Sequence, residues 1–316
     1  MTIPALLQSN LRLPAIVAPM LLASGPELVI ACCRAGLIGT FPALNPRSTE
    51  TLRDWLRQIE GALEGGAAPY GVNLIVHKSN ARLAADLKVV SEHRVPLVIT
   101  SLGVQKDVID AVHAHGGVVF HDVISRRHAE KAAEAGVDGI IAVCAGAGGH
   151  GGTLNPFALL SEISSVFDGT IVLAGAISTG AHIAAARVMG ADMAYLGTRF
   201  IATQEAMVDR GHKEMILGAT SRDIIYTPNI SGVHGNFLRL SLEKAGLDPD
   251  NLPMVRELDM GSEAKAWKTL WSAGQGIGAI ADIPAAGELC DRLVAEYQRA
   301  MATKDPFAGK RAPAHV

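Results

Sequence analysis

The fold class this sequence predicts is α/β, a closed (β/α)8 TIM barrel with a smaller C-terminal helical cap, and three observations predict it. Eight short apolar runs lie between Pro14 and Phe200. Amphipathic stretches of helical length separate them, and that alternation means βα units and a parallel sheet. Eight such units in a chain of 316 residues suit a barrel, typically about 250 residues, better than an open doubly wound sheet. The open sheet is the second choice.

The runs are 14–18 (PAIVA), 37–41 (LIGTF), 71–76 (GVNLIV), 97–101 (LVITS), 117–121 (GVVFH), 138–143 (DGIIAV), 171–174 (IVLA) and 192–196 (DMAYL). Each is largely apolar rather than alternating, as expected of strands buried on both faces. Between them, Ser48 and Thr49 precede TLRDWLRQIEGAL, Asp107 opens VIDAVHAHGG, and Ser125 precedes RRHAEKAAEAGV. Short polar side chains at those places are helix-start signals. After Phe200 the rhythm changes: a helix is expected over 204–217, then an irregular stretch (YTPNISGVHGNFLRLS), then helices near 262–272 and 285–303. The chain therefore divides into a barrel at 1–212, a helical and irregular cap over the barrel mouth at 213–280, a helix at 281–303 returning to the barrel, and a loose tail at 304–316.

Composition excludes several functions. Lys and Arg number 28 against 31 Asp and Glu, so the chain lacks the basic excess that a phosphate-backbone partner needs. No nucleic acid is expected. Gly, Pro or charge interrupts every apolar run before the roughly 18 to 20 residues of a spanning helix, so no membrane is expected either. The cysteines at 32, 33, 144 and 290 form neither a C-x-x-C pair nor a disulfide framework, and no metal site is expected. With no secretory leader evident, the expectation is a reduced, cytoplasmic protein.

The chemistry should lie where strands end, because loops after the strand C-termini build the active site of this barrel class. Gly175-Ala176-Ile177-Ser178 follows the seventh run and Gly197-Thr198 the eighth. Small residues there let backbone N–H groups approach an anion, in the two loops where this fold commonly places a phosphate. The densest signal is AGAGGHGGT at 145–153. Its glycines, Gly148 and Gly149 among them, leave little but the His150 imidazole, so a flat ligand could lie against backbone with one acid or base aimed at it. Gly146-x-Gly148-x-x-Gly151 also matches a dinucleotide fingerprint as text, but it follows the sixth strand and lacks the later acidic residue. Gly274-Gln275-Gly276-Ile277-Gly278 is a similar decoy.

Six motifs carry a resemblance: APM at 18–20, GVNLIV at 71–76, AGAGGHGG at 145–152, AGAIS at 174–178, GTRF at 197–200 and GQGIGAI at 274–280. In this order the chain resembles the nitronate monooxygenase (2-nitropropane dioxygenase) family of FMN-dependent barrels. The resemblance implies FMN, with Ala18, Pro19 and Met20 along the isoalloxazine and Asn73 hydrogen-bonded to the ring. It puts the phosphate on Gly175, Ala176, Gly197 and Thr198, with Ser178 and Gln275 as weaker carry-overs, and makes His150 the catalytic base or acid. One departure stands out: several relatives carry lysine after the fifth strand, where this chain has His121-Asp122. An acidic side chain there would not stabilise negative charge on a reduced flavin.

The implied reaction is oxidation of alkyl nitronates with O2 to carbonyl compounds and nitrite. The alternative is an NAD(P)H-dependent flavin reductase acting on quinones or enoyl-CoA-type thioesters. Remoter are a flavin-free lyase or isomerase for a phosphate-bearing substrate, with Lys78 and Asp122 as its chemistry, and a non-catalytic binding protein. A homodimer is the assembly considered. His121, His234 and Arg239 are secondary candidates for contact with substrate; Cys144 reads as a small buried hydrophobe rather than a nucleophile.

Overall fold

The eight apolar runs become eight parallel strands of a closed barrel. The computed structural model describes residues 2–255 and 269–302. The barrel strands are β1 (Ala15–Val17), β2 (Ile38–Pro42), β3 (Tyr70–Ile75), β4 (Leu97–Ser101), β5 (Val118–Val123), β6 (Gly139–Val143), β8 (Thr170–Ala174) and β9 (Met193–Leu196), in that spatial order. Pairing of Ala15 with Ala194 and Ile16 with Tyr195 closes the ring. Burial on both faces explains the unbroken hydrophobicity of the runs.

The outer ring is formed by α2 (Pro26–Arg34), α3 (Thr49–Leu63), α4 (Leu83–Glu92), α5 (Lys106–Ala114), α6 (Arg126–Ala135), α7 (Pro156–Ser164) and α8 (Gly180–Val188). Two starts are capped as their sequences suggest: Ser48 accepts from the Thr51 N–H and Ser125 from the His128 N–H. The main core lies between this ring and the strands, around Phe41, Leu52, Leu56, Val98 and Ile140. A second core fills the barrel itself, with Ile16, Ile99, Phe120, Ile141 and Met193. The short α1 (Ala5–Gln8) puts Leu7 into that inner core. It plugs the end opposite the strand C-termini, so ligand access is from one rim.

Beyond the barrel, α9 (Thr198–Ile201) follows β9 directly, and α10 (Arg210–Gly218) starts six residues later than the helix expected from 204. The stretch expected to be irregular is not. It forms the antiparallel hairpin β10 (Ile224–Thr227) and β11 (Gly235–Leu238), which takes as its third strand β7, Gly149–His150, from the loop after β6. The region past the barrel is thus partly β rather than purely helical. A short α11 (Arg239–Lys244) follows the hairpin.

The helix expected near 262–272 lies mostly outside the described residues, and so does the 304–316 tail. At its described end Ser272 bridges to Phe237. The last helix, α12 (Ala286–Met301), packs on α8 and α2. It approaches α8 so closely that a Cβ on Gly180 would sit 2.2 Å from the Leu293 carbonyl oxygen. Among the described residues no helix is long and apolar enough to cross a membrane, and no group of three His, Cys, Asp or Glu could hold a metal ion.

Candidate active site

The loops after the strand C-termini enclose a cleft of about 1290 Å3. Ala18, Pro19, Met20, Asn73, Gly148, Gly149, His150, Gly175, Ala176, Ser178, Gly197 and Thr198 all line it. Gln275 does not. Its flanking glycines reach the wall, while its own N–H donates to the Gly146 carbonyl.

The loop after β1 is held by one amide. Asn45 Nδ2 donates to the carbonyls of Met20 (3.0 Å) and Ser24 (2.7 Å), and Asn45 Oδ1 accepts from Leu22 N–H at 2.8 Å. Those bonds sustain Leu22 at a φ of 60°, a left-handed conformation that costs a leucine energy. Ala18, Pro19 and Met20 are fixed along the cleft as a result.

The floor is the uppermost inward-facing layer of the barrel. Asn73 Nδ2 lies 3.1 Å from the Ile99 carbonyl and 2.8 Å from Ser101 Oγ, and Ser101 Oγ lies 2.6 Å from Asp122 Oδ2. The Ile99 carbonyl only accepts, so the amide nitrogen of Asn73 must face it. That nitrogen then donates to Ser101, and Ser101 gives its single proton to Asp122. What Asn73 retains for a ligand is an acceptor, Oδ1.

Burial pushes the Asp122 carboxyl up to about 6, partly offset by the Ser101 hydrogen bond. Its other oxygen, Oδ1, is buried without a partner among the described residues. Tyr195 shares the floor; burial and then the Asp122 charge hold its phenol well above its usual range. His121, with Nδ1 2.7 Å from Thr100 Oγ1, is pulled down to about 4, chiefly by burial, and is neutral at pH 7.

The loops after β8 and β9 form a cradle of small residues on the cleft wall. Gly175 (φ 133°) and Ala176 (φ 54°) turn the backbone in succession. A Cβ on Gly175 would lie 2.9 Å from the Ala145 carbonyl oxygen, which is why only glycine fits. Among the described residues, the N–H groups of Gly175, Ala176, Gly197 and Thr198 donate to no protein acceptor. Four donors on one side of a cleft are a set suited to an anion.

The GQGIG segment braces these loops. Gly274 N–H donates to Thr198 Oγ1 at 2.8 Å, Ser178 Oγ to the Gly276 carbonyl at 2.9 Å, and a Cβ on Gly274 would come within 2.5 Å of the Gly146 carbonyl oxygen. Its glycines permit close backbone packing, a role the dinucleotide comparison does not capture. Arg199, beside the cradle, is buried and paired with Asp282 at 2.8 Å; it lines a small pocket of about 150 Å3 elsewhere.

The Gly-His loop owes its shape to the hairpin. His150 pairs with Gly235 and Gly149 with Asn236. Gly149 N–H donates to Ser272 Oγ at 2.6 Å, and Asn236 Nδ2 to the Ala147 carbonyl at 2.6 Å. His150 Nε2 lies 3.0 Å from Ser231 Oγ, which lies 3.1 Å from the Val233 carbonyl. The Ser231 hydroxyl can turn between that carbonyl and Nε2, so it can follow either protonation state of the ring.

Several contributors had no site motif in the sequence. Ser101, Tyr195, Ser231 and Ser272 were not singled out, nor were His212 and Trp271, whose rings stack at 4.8 Å and line one end of the cleft. His212 is pulled down to about 4, first by burial. Of the secondary candidates, His121 and His234 line the cleft, and His234 stacks on Tyr226 at 5.1 Å. Arg239 lies elsewhere, in a two-bond pair with Asp250 (2.8 and 2.9 Å). Lys78 is exposed and off the cleft. Cys144 is buried, with its thiol pushed up to about 12, so it is no nucleophile.

Comparison with known proteins gives a consistent set. The family model for nitronate monooxygenase matches residues 80–296. A nitronate monooxygenase from Paraburkholderia phytofirmans is 28% identical, the alignment covering 93% of this chain and 95% of the relative. A carboxyl-CoA dehydrogenase for a hydroxy-methyl-oxo-octahydroindene substrate, from Rhodococcus jostii, is also 28% identical, over 72% of this chain and 63% of its own. Among solved structures, a nitroalkane oxidase from Streptomyces ansochromogenes superposes with a TM-score of 0.79 at 25% identity, covering 94% of this chain and 99% of that one.

Proposed function

The chain belongs to the nitronate monooxygenase family, and from that premise we propose that it is an FMN-dependent nitronate monooxygenase, oxidising alkyl nitronates with O2 to carbonyl compounds and nitrite. That it is an oxidoreductase follows from the family and from its likeness to a nitroalkane oxidase. The finer reading rests on one observation: an imidazole and a set of unpaired backbone donors face the same cleft.

The residues fit flavin mononucleotide. Gly175, Ala176, Gly197 and Thr198 offer N–H donors for its phosphate, while Ala18, Pro19 and Met20 offer a wall for its ring and Asn73 Oδ1 an acceptor for a ring N–H. When bound, FMN supplies a reversible electron acceptor that passes electrons on to oxygen or takes them from NAD(P)H. The chain's own residues do the remaining work. His150 takes or returns the substrate's proton with Ser231 Oγ beside its Nε2, the Gly-His loop leaves room for a small anion beside it, and the hairpin residues Tyr226 and His234 cover the approach. In this reading the barrel at 1–212 carries the cofactor and the described residues of 213–280 close over it.

A second reading is favoured by the size of the cleft. About 1290 Å3 exceeds the roughly 300 to 1000 Å3 of a drug-sized pocket, which leaves space beside a flavin for a larger acceptor. Together with the similarity to a carboxyl-CoA dehydrogenase, this supports an NAD(P)H-dependent reductase of a CoA-type thioester. Anaerobic rapid mixing with NADH, beside an aerobic assay of oxygen uptake and nitrite on a nitronate, separates the two. Slow or absent bleaching by NADH, with oxygen uptake and nitrite release on a nitronate, supports the oxygenase; fast bleaching by NADH without nitrite formation from nitronates replaces it with the reductase.

A further inference from the structure

We propose that Asp122 is a proton-uptake residue of the cleft floor: when negative charge arrives on the group held above it, its carboxylate takes a proton from solvent on Oδ1. The inference rests on the flavin reading above. Because the Asn73 amide nitrogen is fixed by the Ile99 carbonyl, Ser101 must accept from Asn73 and donate to Asp122 Oδ2. While the carboxylate is ionised Oδ2 is therefore an acceptor, and a proton placed on Oδ1 leaves that bond intact. An added proton belongs on Oδ1, the oxygen that is buried and unpartnered among the described residues.

The surroundings supply no fixed compensating charge. Asn73 on β3 and Ser101 on β4 are neutral, Val143 faces from β6, and Tyr195 on β9 is a phenol kept protonated first by burial and then by the Asp122 charge. His121 on the same strand is neutral above about pH 4. His128 and Lys131 of α6 line the cleft from exposed positions, and what acts on the Asp122 carboxyl is burial and then the Ser101 hydrogen bond. Two negative charges sharing an enclosed, poorly solvated floor cannot both persist at little cost. A carboxyl already raised to about 6 by burial is the group that yields. Reduction of a bound flavin adds electrons to the ring, and the O–H bond formed on Asp122 uses a solvent proton without any change in the oxidation state of the protein.

Reductive potentiometry of the FMN-loaded protein with dithionite, from below to well above pH 6, tests this. Above about pH 6 the wild type is expected to take up one more proton per electron pair than Asp122→Asn, a tenfold steeper pH response of the equilibrium per pH unit, or about 30 mV. Protonation of the ring itself is common to both proteins. Ser101→Ala removes the bond that favours the carboxylate, so its extra uptake should begin at higher pH; this arm holds even if Asp122→Asn does not fold. Equal slopes in wild type and Asp122→Asn, or an onset unmoved by Ser101→Ala, overturn the proposal while leaving the flavin reading in place. A protein that binds no flavin overturns both.

Discussion

His150 Nε2 and Ser231 Oγ lie 3.0 Å apart across 81 residues of sequence. One belongs to the loop after β6 and the other to the turn between β10 and β11. The bond orients the imidazole from outside the barrel, so replacing Ser231 should impair proton handling without touching the cofactor cradle. Ser231→Ala is expected to lower kcat by several-fold to about tenfold, the worth of one ordinary hydrogen bond of about 0.5 to 1.5 kcal/mol. Steady-state kinetics beside an FMN titration checks it, and Kd for FMN should stay unchanged.

His150→Ala tests the acid–base role proposed for the imidazole. A loss of about 10² to 10⁴ in kcat is expected, the usual contribution of such a group, with FMN content retained. A variant that turns over a nitronate substrate of the wild type at the wild-type rate would take His150 out of the proposed reaction.

Two glycines of the cradle should respond differently to added bulk. A Cβ on Gly197 would meet only ordinary contacts at 3.8 Å or more, with Ala18 and Met20, and its backbone is not left-handed. Gly197→Leu should therefore fold and melt much as the wild type does while losing FMN. Gly274→Val should fail differently, because its Cβ would meet the Gly146 carbonyl oxygen at 2.5 Å and the Gly148 nitrogen at 2.8 Å. Lowered Tm together with lost FMN is expected there, and calorimetry with a flavin assay distinguishes the pair.

Acid stability has two opposing sources. His121 and His212, pulled down to about 4 in the folded chain, stay neutral while the unfolded chain binds protons near the ordinary 6.5. Each thus removes up to about 3 kcal/mol as pH falls from about 6.5 to about 4. Asp122, raised to about 6, acts in the other direction, adding stability as pH falls from about 6 towards its unfolded value. Urea unfolding at pH 7 and pH 4.5 should show net loss on acidification, and Asp122→Asn should lose more than the wild type.

Much of this architecture was legible because burial on both strand faces leaves unbroken apolar runs such as LVITS and GIIAV, each ended by polar or small residues. The same logic exposed the cradle, since Gly175 and Gly197 stand where strands stop. The hairpin was hidden: IIYT and GNFL do not alternate, and the intervening PNISGVH is longer than the two-residue turns that announce hairpins. β7 could not be read at all, because Gly149 and His150 become a strand only by pairing with residues 235 and 236. Ser101 and Tyr195 were missed for a subtler reason. Both sit inside or at the end of apolar runs, and only the strand register, Ile75 beside Ser101 and Ile16 beside Tyr195, brings them to the cleft end of the barrel.

The central claim is that the strand-end loops hold FMN, by its phosphate, beside His150. The most direct measurement is the stoichiometry and identity of flavin in the purified protein, by visible absorption and by chromatography of the released chromophore, repeated for Gly197→Leu. Close to one FMN per chain is expected in the wild type and almost none in the variant. A colourless wild type that takes up no added FMN, or a variant that keeps its full complement, would contradict it.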